Sequence, residues 1–329
     1  MSRFRIIATN PLHPDAEALL RQSHDYDPVP DGDPDTLKRW IAEADGIIVR
    51  TKLPDDIFAA APRLLSCVRH GVGLDFVPVE AATERNIPVA NLLEANKQAV
   101  VEYVVGTALL LARDLSGLEQ RFRRDGWSSR AGYSGFELAG KTLGVVGCGR
   151  IGRGVAQAMR AAFGMNVLGY DVTSPQNQEG FTSVSLTDLF ARADVITLHL
   201  PSTPETRGMI GKELLATMRE RAILINAARG DLIDETALRD GLAQGRPAAA
   251  AIDVFEPEPL TRDHVFFETR NLFLTPHIAG GTDESALRMS MQSAEAMLRI
   301  LQGERPASLV NPAVWEAHLA RLSARQASE

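Results

Sequence analysis

Four polar residues stand directly after, or close behind, short apolar runs in the second half of the chain. They are His199 after VITL, Arg229 after LINAA, Asp253 after AAAI and His277 in LTPHIAGG, and Glu258 follows in the run DVFEPEP. An open parallel sheet presents its ligand crevice at strand ends of this kind. A carboxylate beside an imidazole favours the imidazolium and fixes which ring nitrogen faces outward, which suits a proton donor near neutrality. The planar fork of Arg229 matches a substrate carboxylate. His277, Glu258 and Arg229 together therefore carry the groups needed to reduce a carbonyl that lies beside a carboxylate. Taken singly, each also fits a plainer part: His277 a satisfied loop histidine, Arg229 a surface ion-pair partner, Glu258 a solvated loop acid. Spacing alone does not bring the three together.

A second signal is the run Leu143-Gly144-Val145-Val146-Gly147-Cys148-Gly149-Arg150-Ile151-Gly152. It follows an apolar strand pattern, opens an amphipathic helix pattern, and is followed 19 residues after Gly152 by Asp171. That spacing fits a dinucleotide-binding turn with a carboxylate reaching the adenosine ribose. Gly147 permits the tight turn, Gly149 lets the backbone approach a pyrophosphate, and Gly152 lets helix and strand pack closely. The amides at the helix start then face the phosphates. The same run also fits a turn of another α/β protein, a methyltransferase among them, and Asp171 also fits a helix-capping acid. If Asp171 faces the ribose, it repels a 2′-phosphate, and Val172, Thr173, Ser174 and Pro175 bring no Arg or Lys to receive one. NAD is expected, and NADP disfavoured.

Several chemistries lack their patterns. The sequence holds no HExxH or clustered cysteines, so no metal is expected, and no GxSxG elbow or GxxxxGK[ST] loop. His13, His24, His264 and His318 read as surface or capping groups. Two cysteines, Cys67 and Cys148, do not make a disulfide framework.

Elements must position these groups. The 329 residues exceed a usual single domain, so two domains are expected. Hydrophobic residues make up 45% and charged residues 23%, which excludes a disordered chain. The formal net charge of −7 argues against a nucleic-acid partner. The start MSRFRIIATN has no signal-peptide pattern, and Val100 to Ala112 reads as a buried helix rather than a membrane span. A soluble cytoplasmic protein without membrane partner is expected.

The first hundred residues alternate strand patterns (Arg5 to Ala8, Gly46 to Val49, Leu64 to Val68, Ile87 to Val89) with helical ones (Pro14 to Arg21, Asp35 to Ala42). A long helical pattern runs from Asn96 to about Arg124, and a Gly- and Ser-rich arm from Gly126 to Gly140. The alternation restarts at Lys141, with helices expected at Ile151 to Phe163, Met209 to Met218, Thr236 to Gln244 and Thr282 to Gln302. Apolar runs such as TLGVV, VITLHL and AILIN fit strands covered on both faces, hence a parallel α/β sheet.

The motifs in order resemble the D-isomer-specific 2-hydroxyacid dehydrogenase family, in its phosphoglycerate dehydrogenase-like and hydroxypyruvate or glyoxylate reductase-like branches. The resemblance runs from about Gly46 to Pro312. It rests on Arg69-His70-Gly71-Val72-Gly73-Leu74-Asp75, on Gly140 to Gly152, on His199-Leu200-Pro201-Ser202-Thr203, on Asn226-Ala227-Ala228-Arg229-Gly230, on Asp253 to Pro259, and on Thr275-Pro276-His277-Ile278-Ala279-Gly280. It implies an α/β fold of two Rossmann-like parallel-sheet domains, with the active site in the cleft between them. A flavodoxin-like substrate domain would span 1–100, completed by 300–329, and the NAD-binding domain 101–299. Hinges near Asn96 to Tyr103 and Ala294 to Leu301 would close the lobes and exclude water.

The resemblance further implies His277 as general acid–base, Glu258 as its partner, and Arg229 holding the carboxylate and polarising the C2 oxygen. Gly147, Gly149, Arg150, Ile151, Gly152, Asp171, His199, Pro201, Ala227, Asp253 and Gly280 would surround NAD, with Asp253 near the nicotinamide carboxamide. Arg50, Thr51, Val72, Gly73 and Asn96 would join Arg229 around a small 2-oxo or 2-hydroxy acid. A homodimer through the NAD-binding domain would occupy the 126–140 arm. The chain departs from the family at Leu93-Glu94-Ala95-Asn96, where a Pro-Gly turn is usual, and at Tyr103, where Ala-Glu-His is usual. It ends at Glu329, so serine feedback through an added regulatory domain is not expected. Two other readings stay open: an NAD-responsive, corepressor-like binding protein with little turnover, and a dehydrogenase of another acid such as phosphonate or formate. Arg50, Lys52, Arg69 and His70 would supply positive charge for a phosphorylated substrate.

Overall fold

The first strand, β1 (Arg5–Ala8), is RIIA, and three of its four residues are buried. Runs of this kind recur because a parallel strand flanked by helices must be apolar on both faces. In chain order there follow α1 (Pro14–Arg21), β2 (Asp25–Pro28), α2 (Pro34–Ile41), β3 (Gly46–Val49), β4 (Ser66–Arg69), α3 (Val79–Glu84) and β5 (Val89–Ala90). Next come α4 (Lys97–Ala112), α5 (Leu115–Asp125), β6 (Thr142–Val146), α6 (Arg150–Phe163), β7 (Asn166–Tyr170), β8 (Thr182–Ser183), α7 (Leu186–Arg192) and β9 (Val195–Leu198). The remainder is α8 (Lys212–Ala216), β10 (Ile223–Asn226), α9 (Glu235–Ala243), β11 (Ala249–Ile252), β12 (Leu272–Leu274), α10 (Asp283–Leu301) and α11 (Trp315–Ala327). This computed structural model describes residues 3–172 and 180–327.

The chain divides into two compact units, one Met1–Asn96 with Thr282–Glu329, the other Lys97–Gly281. Among the described residues the first holds a five-stranded sheet in the order β2-β1-β3-β4-β5. Every strand pairing in it is parallel. This is the flavodoxin-like doubly wound order. One core lies between this sheet and α1, α10 and α11, with Ile6, Ala8, Ile48, Val68, Ala294, Met297 and Ile300 buried together.

The second unit holds a seven-stranded sheet in the order β12-β11-β10-β9-β6-β7-β8, again parallel throughout the described pairings. Numbered from β6, this is the Rossmann order, and direction reverses between β6 and β9. The Gly147–Gly152 turn leaves β6 at that point, so a crevice opens where the glycines lie. Helix α4 covers one face, packing Val101, Val104 and Ala108 with Leu143, Val145 and Val155.

Four expectations about the elements need correction. The boundary on the C-terminal side falls at Gly281/Thr282, not near residue 300. Ala294 to Leu301 is no hinge: α10 lies within the first unit's core, where Ala294, Met297, Ile300 and Leu301 are at most 1% exposed. The long helical pattern from Asn96 breaks at Asp114, whose left-handed backbone (φ 43°) separates α4 from α5. The expected Met209–Met218 helix contracts to α8, because Gly211 caps its start. β2 escaped notice because DYDP buries only Tyr26 at a sheet edge.

Candidate active site

The glycine turn has the shape its spacing predicted. Gly147 has φ 100°, and a Cβ there would stand 2.6 Å from the His199 carbonyl. A Cβ on Gly152 would lie 2.1 Å from the Gly147 oxygen, which no real side chain tolerates. Gly149 is different: its Cβ position meets nothing within 4 Å, so the backbone is open to an approaching group. Arg150 and Ile151 begin α6 behind it. Asp171, at the end of β7, accepts the Cys148 N–H on Oδ2 at 2.7 Å, which ties this carboxylate to the turn. Thr173, Ser174 and Pro175, on which part of the case against NADP was built, lie outside the described residues. Cys148 is no nucleophile, since burial pushes its thiol up to about 12.

His199 and Pro201 follow β9. The His199 ring sits 2.9 Å from Thr197 Oγ1, and burial pushes its pKa down to about 3, so it is neutral. It lines the turn through its backbone and contributes no acid–base group.

The loop after β10 is shaped by a residue not singled out in the sequence. Asn226 accepts the Ala228 N–H at 3.0 Å and donates to the Arg229 carbonyl at 2.8 Å, folding Ala227 to Arg229 into a tight knuckle. Gly230 then passes so near the next loop that a Cβ would stand 2.2 Å from Phe255. This brings Arg229 to the Glu258 loop, and its charge is among the influences lowering the Glu258 pKa.

Glu258 and His277 meet. His277 Nδ1 lies 2.8 Å from Glu258 Oε2, while Glu258 Oε1 accepts the Phe255 N–H at 2.9 Å. Partial burial works against ionisation of Glu258, but the His277 and Phe255 hydrogen bonds and the charges of His277 and Arg229 prevail. The carboxyl is held below its ordinary range. With Nδ1 engaged, the outward nitrogen of His277 is Nε2.

Asp253 is fully buried. Its Oδ1 accepts from Thr275 Oγ1 (2.6 Å) and the Ile278 N–H (2.8 Å), and Oδ2 accepts the Ala279 N–H (2.8 Å). This carboxylate holds the loop that carries His277. Burial raises its pKa, against these hydrogen bonds. Gly280 closes the same loop. Among the described residues no cluster of three or more His, Cys, Asp or Glu side chains could hold a metal ion.

The other proposed substrate groups lie in the first unit. Thr9 Oγ1 accepts the N–H of Arg50 (2.8 Å) and of Thr51 (3.1 Å). Arg69 donates to the carbonyls of Val49, Arg50 and Gly73, and its guanidinium lies 4.2 Å from the Phe76 ring centre. Arg69 thus joins the 50–51 and 72–73 loops. His70 is buried, with Nε2 3.1 Å from Ser290 Oγ and its pKa pushed down to about 4, so it brings no cation. Arg50 bonds the Pro11 carbonyl. Val72 accepts from Asn91 at 2.7 Å. The buried Oδ1 of Asn96 has no hydrogen-bond partner among the described residues.

A family profile described as "D-isomer specific 2-hydroxyacid dehydrogenase, NAD binding domain" matches residues 105–279. The chain is 39% identical over 325 residues to a D-3-phosphoglycerate dehydrogenase of Methanocaldococcus jannaschii, covering 97% of this chain and 62% of that protein. It is 37% identical to a glyoxylate reductase of Aeropyrum pernix, covering 94% and 97%. The chain therefore spans less than two thirds of the phosphoglycerate dehydrogenase and nearly all of the reductase. Among solved structures, an NADPH-dependent glyoxylate/hydroxypyruvate reductase of Sinorhizobium meliloti, in complex with NADP and malonate, matches with a TM-score of 0.84 and 28% identity, covering 94% of this chain and 97% of that one. An NAD+-bound 3-phosphoglycerate dehydrogenase of Entamoeba histolytica matches at 0.79 and 26% identity, covering 94% and 99%.

Proposed function

Because the chain belongs to the D-isomer specific 2-hydroxyacid dehydrogenase family, we propose that it interconverts a small D-2-hydroxy acid and its 2-oxo acid with a nicotinamide dinucleotide. The observation that carries this reading is the 2.8 Å contact between His277 Nδ1 and Glu258 Oε2, in the unit that also holds the glycine turn. The turn fits the cofactor. Gly149 leaves open backbone, and the start of the 14-residue α6 lies beside it, where helix-start amides favour phosphate. When bound, the nicotinamide supplies or accepts the hydride.

The protein's own groups do the rest. In the reductive direction His277 Nε2 gives its proton to the C2 oxygen, and Glu258 stabilises the imidazolium until then. Arg229 holds the carboxylate and stabilises negative charge developing on that oxygen. Arg50, Thr51, Val72, Gly73 and Asn96, in the first unit, are the further residues that the family resemblance assigns to the substrate. In support, the N–H groups of Val72 and Gly73 have no hydrogen-bond partner among the described residues, as receivers of an anion require.

NAD is the preferred cofactor in this reading, because the Asp171 carboxylate repels a 2′-phosphate. Solved relatives carry NADP in one case and NAD+ in another, so the carboxylate and not kinship supports the choice. A homodimer through the cofactor-binding unit is part of this reading, supported by an exposed apolar set, Leu115, Phe122 and Trp127, the last 76% exposed. The substrate is of the glyoxylate, hydroxypyruvate or 3-phosphohydroxypyruvate type. A panel of these acids with NADH and NADPH tests the reading. Faster oxidation of NADH is expected, and a marked NADPH preference would overturn the role of Asp171.

A further inference from the structure

Tyr103 has no part in the roles above, yet it touches them. It lies on α4, half-buried, with its hydroxyl 2.7 Å from Thr275 Oγ1. Thr275 Oγ1 stands 2.6 Å from Asp253 Oδ1. Counting protons fixes the direction of this chain. A carboxylate has no hydrogen to give, so the single hydroxyl proton of Thr275 goes to Asp253. Thr275 Oγ1 is then the acceptor for Tyr103, and the phenol is the donor. Burial raises the Tyr103 pKa, which keeps that donor protonated.

The far end of the chain holds the imidazole. His277 has φ 54°, a left-handed conformation that strains a residue with a Cβ. Something must keep the loop from relaxing. The Asp253 carbonyl accepts the His277 N–H at 2.7 Å, and the Asp253 carboxylate grips the next two amides, Ile278 and Ala279. A carboxylate free to rotate would lose those grips. Thr275, fixed in turn by Tyr103, prevents the rotation.

The geometry points to Tyr103 as a positioning residue: through Thr275 it fixes the Asp253 carboxylate, which clamps the 275–279 loop and aims His277 at Glu258. This deepens the proposed function and rests on His277 as its acid–base. Position 103 is also where this chain departs from the Ala-Glu-His pattern.

Four variants test it: Tyr103→Phe, Thr275→Val, their combination, and Thr275→Ser. Tyr103→Phe keeps the ring and removes only the hydroxyl. Its kcat should fall about tenfold, the effect of one lost buried hydrogen bond, with NADH affinity within about twofold of the parent. The double variant should fall no further than Thr275→Val, and Thr275→Ser should retain the parental rate. Independently of turnover, amide hydrogen exchange at Ile278 and Ala279 should quicken severalfold in Tyr103→Phe. Parental kcat in Tyr103→Phe, multiplicative losses in the double variant, or unchanged exchange would each overturn the proposal. If the parent turns over no 2-oxo acid, the functional reading fails by itself, and exchange alone decides whether Tyr103 holds the loop.

Discussion

A histidine and a glutamate 19 positions apart act as one group only if two loops meet, and here they do, at 2.8 Å. The contact has a kinetic signature. Replacing Glu258 with Gln preserves a hydrogen-bonding side chain but removes the charge that favours the imidazolium. The kcat in the reductive direction should fall on the order of tenfold or more. An unchanged kcat would mean that the carboxylate does not act on His277. At this scale the sequence was legible wherever a residue type carries its own chemistry: His277, Glu258 and Arg229 were all nameable. Asn226, Thr275 and Tyr103 were not, because their importance lies in hydrogen bonds between segments distant in sequence. The departure at Tyr103 was visible, but its partner Thr275 lies 172 residues away.

Among the elements, the β6–turn–α6 unit is the most strongly determined by local sequence. Its glycines are required by contacts of 2.1 Å and 2.6 Å that a Cβ would make with backbone. Gly152→Ala should push α6 off the turn and weaken NADH binding by at least tenfold in a fluorescence titration, while the helical circular dichroism of the whole chain changes little. Binding within twofold of the parent would show that the turn is not where the dinucleotide lies. Apolar strands were legible for the reason that both their faces are covered. Edge strands were not: β2 is half acidic, and β8 has only Thr182 and Ser183. The break at Asp114 was also hidden, since apolar periodicity continues past it into Leu115 and Leu118.

At the scale of the molecule, two doubly wound units could be foreseen from alternating patterns, but the position of α10 could not. Its apolar stripe fits either unit, and only tertiary packing assigns it to the first. Two histidines bear on the stability of the units. His70 and His199 are pushed down to about 4 and about 3, mainly by burial, from an ordinary value of 6.5. Between that value and the lowered ones the unfolded chain binds protons that the folded chain refuses. Stability should therefore fall with acidification below about pH 6.5, by about 1.4 kcal/mol per pH unit for each group. His199→Gln should flatten this slope in thermal unfolding between pH 6 and 4; an unaltered slope would show that His199 is not held neutral. The most direct test of the account is NADH oxidation with glyoxylate, hydroxypyruvate and 3-phosphohydroxypyruvate, compared between the parent and His277→Ala. The account expects rapid formation of a D-2-hydroxy acid by the parent with at least one of these, and turnover lower by about a hundredfold or more in the variant with NADH binding intact. Equal turnover by both proteins, or an L-hydroxy product, would contradict it.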